Sequence, residues 1–331
     1  MSEFTLIGRH FVRPTPGTLL GPGDDCALLQ ARAGMEVAIT TDMLVAGTHF
    51  FADTDPHDLG WKTLAVNLSD LAAMGATPRW ALLAGSLPAA DDVWLAAFAE
   101  GLFALAEQFK VDLVGGDTTR GPLNLCVTAL GEIPVGEALR RDSGQAGDDL
   151  WVSGQPGLAA LGLAHLRHEV LLPEHLAARC LTALHRPQPR IALGLRLREL
   201  KKTGWVHAAI DISDGLLADL THILERSQLA AEVHLAGLPP PPAGIEQELA
   251  RRCLLAGGDD YELLFSAAPA ARPALTALAT ELNLPLWRCG RLLAASNDAQ
   301  QPLAIGAISV IDELGQPISF THQGYDHFAK H

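Results

Sequence analysis

The sequence predicts an α/β (α+β) protein of two domains. Its 331 residues suffice for about two domains of ~150 residues each. Strand-like and helix-like segments alternate along the chain. A polar, Gly-rich stretch at 136–149 interrupts that alternation and separates domain 1–137 from domain 138–331. Apolar residues make up 48% and charged residues 19%, which excludes a disordered chain.

Taken in order, 38–41 is a short β-type run. Asp55-Pro56 has the form of an N-cap followed by proline in the first turn, opening a helix that Gly75 stops. The segment 80–87 reads as a strand and 91–109 as an amphipathic helix. A strand over 111–114 runs into Gly115-Gly116, and 123–133 is another strand. Beyond the break, 158–168, 174–184 and 187–200 read as helices. A strand over 206–212 leads to a helix from Asp214, with further strands at 261–266, 286–293 and 305–311. The six tryptophans and five cysteines read as core residues.

The formal charge of −14 argues against nucleic acid as a partner, because a net anion does not wrap a polyanion unaided. The five cysteines are widely spaced, odd in number and never form C-x-x-C, which predicts a reducing, cytoplasmic setting. No apolar run is long and unbroken enough to span a bilayer, so no membrane association is expected.

Aspartate outnumbers glutamate 22 to 16, and only 5 of the 24 basic residues are lysine. Short carboxylates favour turns, caps and metal sites, so their placement carries information. Six segments set Asp beside Gly, Ser or Thr at the ends of apolar runs. They are Gly23-Asp24-Asp25, Thr40-Thr41-Asp42, Asn67-Leu68-Ser69-Asp70, Gly115-Gly116-Asp117-Thr118-Thr119, Asp211-Ile212-Ser213-Asp214-Gly215 and Gly257-Gly258-Asp259-Asp260. Each alone reads as a turn or cap; Asp214, for example, has the position of an N-cap. Together they suggest carboxylates converging at strand ends, where a divalent cation bound by oxygen relieves their repulsion. Asn67 and Asp70, three apart, share a helix face. No G-x-x-x-x-G-K-[ST] loop, H-E-x-x-H or G-x-S-x-G is present. From the residues alone follow a divalent-cation site built from oxygen ligands and a phosphate cradled by the Gly115-Gly116 amides, with any bound triphosphate neutralised mainly by metal because lysines are few.

Those segments, with Thr41 to Phe50, Ala65 to Ala76 and the tail Gly324-Tyr325-Asp326-His327-Phe328, run from residue 23 to residue 328. They resemble the thiamine-monophosphate kinase family, of the superfamily that includes aminoimidazole ribonucleotide synthetase and selenophosphate synthetase. The resemblance implies an N-terminal ATP- and metal-binding domain whose sheet pairs with a second subunit's to close a barrel in a homodimer. It also implies a C-terminal domain that completes an active-site cleft. The implied reaction is direct, in-line transfer of the ATP γ-phosphoryl to thiamine monophosphate, assisted by several Mg²⁺ ions; the alternatives are another ATP-using member of the same superfamily, a metal-dependent phosphohydrolase, and a noncatalytic divalent-ion or nucleotide-binding protein.

By matching positions, the resemblance makes Asp25, Thr40, Thr41, Asp42, Asp70, Asp117, Asp211 and Asp214 metal ligands, with Asp42, Asp70, Asp117 and Asp214 central to catalysis. Gly116, Asp117, Arg141 and Ser213 become nucleotide contacts, and His49, Asp259 and Tyr325 substrate contacts. The family usually carries Glu where this chain has Asp259, and Arg140 stands beside Arg141 as a rival. Read without the resemblance, His49 is a loop histidine and Tyr325 an aromatic packing on the core.

Overall fold

The computed structural model describes residues 3–296, 303–320 and 324–325. The chain forms two compact units: one of Met1–Leu71 and Ala76–Gly136, the other of Ala72–Gly75 and the chain from Glu137 onward.

In the first unit the elements are α1 (Glu3–His10), β1 (Met35–Val45), α2 (Pro56–Ala73), β2 (Thr77–Leu87), α3 (Asp92–Phe109), β3 (Asp112–Arg120) and β4 (Asn124–Pro134). The helix starts follow from their caps. Asp55 Oδ1 accepts from the amides of His57 and Asp58 at 2.9 and 3.2 Å, and Asp91 caps α3 through the amides of Val93 and Trp94. The sheet order is β1-β4-β2-β3, with β4 antiparallel to both neighbours and β2 parallel to β3.

Strand alternation gives this sheet two unlike faces. Leu125, Val127 and Ala129 of β4 are buried on one. The other bears half-exposed Cys126, Thr128 and Leu130 and exposed Val37, Ile39 and Met43. The sheet keeps two free edges, β1 and β3, and one chain closes no barrel. The barrel expected from the resemblance is not a feature of the single chain.

The second unit contains β5 (Asp149–Ser153), α4 (Leu158–Leu166), α5 (Glu174–His185), α6 (Ile191–Lys202), β6 (Val206–Asp211), α7 (Leu216–Ser227), β7 (Leu229–His234), α8 (Gln247–Ala256), β8 (Leu263–Ala267), α9 (Arg272–Glu281), β9 (Leu286–Ala294), β10 (Ile308–Ile311) and β11 (Pro317–Ile318). The strands form one sheet ordered β11-β10-β7-β9-β5-β8-β6. Leu150, Val152, Ile210, Leu264, Leu220 and Ile223 are fully enclosed in its core.

Several boundaries differ from those the sequence suggests. β3 does not stop at the glycine pair; pairing with β2 carries it through Arg120. α6 begins at Ile191, not at 187, since Pro187 and Pro189 hold the preceding residues out of the helical region. α7 begins at Leu216, with Gly215 as its N-cap instead of Asp214. α1, β5, β7, α8, α9 and β11 have no counterpart in the pattern reading. The core assignment of Trp and Cys holds for Trp80, Trp151, Cys180, Cys253 and Cys289, but Trp205 and Cys26 are exposed and Cys126 is half-exposed. Burial pushes the Cys180 thiol to about 11 and those of Cys253 and Cys289 to about 12, so all three are inert neutral groups. Among the described residues no helix is long and apolar enough to cross a membrane.

Candidate active site

In the first unit, α2 lies against β1 where the Thr-Thr-Asp segment sits. Thr40 and Asp42, two apart on the strand, share a face. Asn67 and Asp70, three apart on the helix, share the face that meets them. The Thr40 hydroxyl donates to Asp70 Oδ2, and the Asp42 amide donates to Asn67 Oδ1 at 3.0 Å. Asn67 is completely buried, and its amide nitrogen donates back to the Thr63 carbonyl. Asn67 thus fixes both the helix and the strand beneath the two carboxylates.

Thr41 points the other way. Its hydroxyl bonds to the Val127 carbonyl and the Thr128 hydroxyl, both at 3.0 Å, on β4. Asp117 is exposed on edge strand β3. Its register partner is Ala84, in line with Cys126 and Met43, which places it on the same face as Thr41. Three strand spacings separate β1 from β3, roughly 14 Å. The structure therefore brings Thr40, Asp42 and Asp70 together but sets Thr41 and Asp117 apart from them. Asp25 is exposed in the segment between α1 and β1.

Gly116 has φ +151°, and a Cβ there would stand 1.8 Å from the Leu83 carbonyl oxygen. Glycine is required by the neighbouring strand, whether or not a ligand is present. His49 folds back onto the end of β1, where its Nδ1 accepts from the Val45 amide at 3.0 Å. That bond leaves Nε2 as the protonated nitrogen of the neutral ring.

In the second unit, two motif segments meet. The Asp259 amide donates to the Ser213 carbonyl and the Tyr261 amide to the Ile212 carbonyl, both at 2.8 Å. The Tyr325 amide donates to the Asp214 carbonyl at 3.0 Å. Asp211, Ser213, Asp214, Asp259 and Tyr325 are thereby gathered, and the Tyr325 ring is exposed instead of packing on the core. Residues 326–328 of the tail motif lie outside the described residues. Asp259 and Tyr261 adopt φ of +67° and +52°, left-handed values that side chains rarely take. The Tyr261 hydroxyl donates to Asp259 Oδ1 at 3.1 Å.

The adjoining carboxylates have structural roles. Asp260 accepts from the amide of Gly157, the N-cap of α4, at 2.7 Å. Burial holds its carboxyl well above the usual carboxylate range. Glu262 is buried beneath a forked Arg190 guanidinium and also accepts from Ser153. The two adjacent arginines are told apart: Arg140 is forked onto Asp142, holding that carboxyl at about 2, while Arg141 is exposed and makes no ion pair among the described residues. Also among the described residues, no three His, Cys, Asp or Glu side chains form a metal-ligand cluster.

The chain matches two family models, AIR synthase related protein N-terminal domain over residues 23–133 and C-terminal domain over 145–300. It is 43% identical to thiamine-monophosphate kinase of Salmonella typhimurium, covering 99% of this chain and 98% of that one. The chain belongs to the thiamine-monophosphate kinase family. Among solved structures, thiamine-monophosphate kinase from Stenotrophomonas maltophilia is 48% identical, with TM-score 0.82, over 94% of this chain and 96% of that one. A complex of AaThiL with AMPPCP and TMP is 26% identical, with TM-score 0.72, over 98% and 96%.

One residue that holds the Ser213–Gly215 segment, which this chain shares in resemblance with thiamine-monophosphate kinases, carries no signal in the sequence pattern. Asp219, buried in the first turn of α7, accepts through Oδ2 from the amides of Ser213, Asp214 and Gly215 at 3.0, 3.1 and 3.1 Å. Burial, and then the Asp214 carboxylate, push its carboxyl up to about 7 against the pull of those three amides. Caps are sought just ahead of a helix, whereas this one reaches back from inside it.

Proposed function

We propose that this chain converts thiamine monophosphate to thiamine diphosphate by in-line attack of the substrate phosphate oxygen on the ATP γ-phosphorus. The new P–O bond forms as the bond to the β-phosphate bridging oxygen breaks, and ADP leaves. The observation that carries this reading is the fixed quartet Thr40, Asp42, Asn67 and Asp70, in a chain 43% identical over 99% of its length to a thiamine-monophosphate kinase.

A phosphate monoester is already a nucleophile, so the protein's work is alignment and charge neutralisation. The donors are hard oxygens, which suit Mg²⁺; that ion is typically held by one or two carboxylates plus substrate phosphates. Asp42 with Asp70, and Asp211 with Asp214, are such pairs. Thr40 supplies a further oxygen beside Asp42 and Asp70; Asp25, Thr41 and Asp117 would serve other ions, since Thr41 and Asp117 lie on the opposite face of the sheet. When bound, Mg²⁺ screens the repulsion between the two phosphate-bearing substrates.

The chain's own groups orient the rest. Arg141, the Ser213 hydroxyl, Asp117 and the outward backbone of Gly116 on the edge strand hold the nucleotide. His49 donates from Nε2 to the acceptor phosphate. Asp259 faces the cationic thiazolium, and the Tyr325 ring stacks on the flat heterocycles.

In this reading residues 1–137 bind ATP and metal and form the dimer, while residues 138–331 complete the site. The open sheet face, with Val37, Ile39 and Met43 exposed at 43%, 65% and 51%, pairs with the same face of a second copy to close the barrel. The free cysteines accord with a cytoplasmic setting.

The test is incubation of the purified protein with ATP, Mg²⁺ and thiamine monophosphate. The account expects thiamine diphosphate and ADP in equal amounts. Phosphate release without thiamine diphosphate would assign it as a hydrolase. No turnover, with a metal-dependent rise in melting temperature, would make it a binding protein.

A further inference from the structure

The segment Ile212 to Gly215 is bonded on both of its rails. Its consecutive amides at Ser213, Asp214 and Gly215 all donate to one oxygen of Asp219. Its consecutive carbonyls at Ile212, Ser213 and Asp214 all accept, from the amides of Tyr261, Asp259 and Tyr325. The amide of Ile212 itself donates to the Glu262 carbonyl at 2.8 Å. One side chain therefore anchors the strip on which the Asp259 and Tyr325 segments hang.

The turn at the end of the strip depends on a glycine. Gly215 has φ +127°, and a Cβ there would meet the carbonyl carbon of Ala256 at 2.8 Å. Glycine gives the turn its freedom but supplies no restraint. On the amide rail the restraint comes from Asp219, which α7 holds among the buried Leu216, Leu220 and Ile223. Three amides converging on one oxygen form an anion nest. Here the chain's own carboxylate fills that nest, so these amides are committed to positioning and do not bind a ligand phosphate.

We infer that Asp219 is a positioning residue for the phosphoryl transfer: by clamping the Ser213–Gly215 amides it sets where Asp214, Asp259 and Tyr325 stand relative to one another. The inference rests on the proposed kinase activity for its kinetic consequence, but the clamp itself is tested without substrate.

The experiment compares wild type, Asp219→Asn, Asp219→Ala and Asp219→Glu as full-length protein. Amide hydrogen exchange is read in the absence of nucleotide and metal, and kcat and KM are read separately. Asp219→Asn keeps an acceptor oxygen and is expected to stay within about threefold of wild type in exchange and kcat. Asp219→Ala loses the acceptor. Exchange is expected to quicken at least tenfold at residues 213–215 and also at 259, 261 and 325, with KM for thiamine monophosphate raised at least fivefold. If the Ala variant does not fold, Asp219→Glu decides the matter, because its extra methylene displaces the clamp while keeping the charge. It is expected to raise KM for thiamine monophosphate in a protein that still melts cooperatively.

Unchanged exchange at 259, 261 and 325 in a folded Ala or Glu variant overturns the inference. So does a Glu variant with wild-type KM, or an Asn variant as impaired as Ala. Lack of kinase activity in the wild type would refute the proposed function while leaving the exchange result able to judge the clamp.

Discussion

The hydroxyl of Thr40 on β1 donates to the carboxylate of Asp70 on α2, joining two motif segments thirty positions apart. Thr40→Val removes that donor with little change in shape. A hydrogen bond to a charged group is worth about 2 kcal/mol, so kcat is expected to fall about thirtyfold, with Thr40→Ser restoring it. Asp70→Asn is expected to cost more, about 10²- to 10³-fold, as for loss of a preorganised charge. Steady-state kinetics alongside thermal melts check both. Wild-type kcat in either Thr40→Val or Asp70→Asn would contradict the role given to this pair.

Asp214→Asn is expected to abolish most activity while melting close to wild type. Its helix is capped by other groups, with Gly215 at the N-cap position and Asp219 accepting the amides. A large loss of melting temperature with unchanged kcat would assign Asp214 to structure.

Arg140 and Arg141 are expected to part company. Arg140 is engaged by Asp142, so Arg140→Ala should leave KM for ATP near wild type. In the proposed reading Arg141 donates to a nucleotide phosphate, so Arg141→Ala is expected to raise KM for ATP about tenfold, at ~1.5 kcal/mol for one such bond. The reverse ranking would transfer the nucleotide contact to Arg140.

These contrasts show how far the sequence could be read. The cap at Asp55, the helix it opens and the shared face of Asn67 and Asp70 were legible, because local bonding and helical spacing set them. The course of β3 was not: Gly115-Gly116 ends a strand by propensity, and only pairing with β2 keeps it extended. β7, Leu-Ala-Ala-Glu-Val-His, has Val233 as its single β-branched residue and owes its conformation to a place between β10 and β9. The six Asp segments were visible, but not their grouping. Thr40 and Thr41 look alike in sequence, yet pleating sends them to opposite faces, where one meets Asp70 and the other meets β4. Asp260 looks like its neighbour Asp259 and proves to be a half-buried cap for α4.

Asp260 also gives a pH dependence. Burial raises its folded-state value above the 3.8 of a free side chain. Between the two values the folded protein holds a proton that the unfolded chain has released. Its contribution to stability is complete below the unfolded value and is lost as pH rises through the folded one. Asp260→Asn keeps an acceptor for the Gly157 amide but has no proton to lose. Wild-type melting temperature should therefore fall more steeply than the variant's as pH rises above 3.8. Parallel curves would show that this carboxyl does not titrate with folding.

The direct, in-line transfer is tested most closely by its stereochemistry. ATP made chiral at a thio-substituted γ-phosphorus is turned over with thiamine monophosphate, and the configuration of the transferred group is read in the product. A single in-line displacement predicts inversion. Retention would require a phosphorylated protein intermediate and would contradict the account.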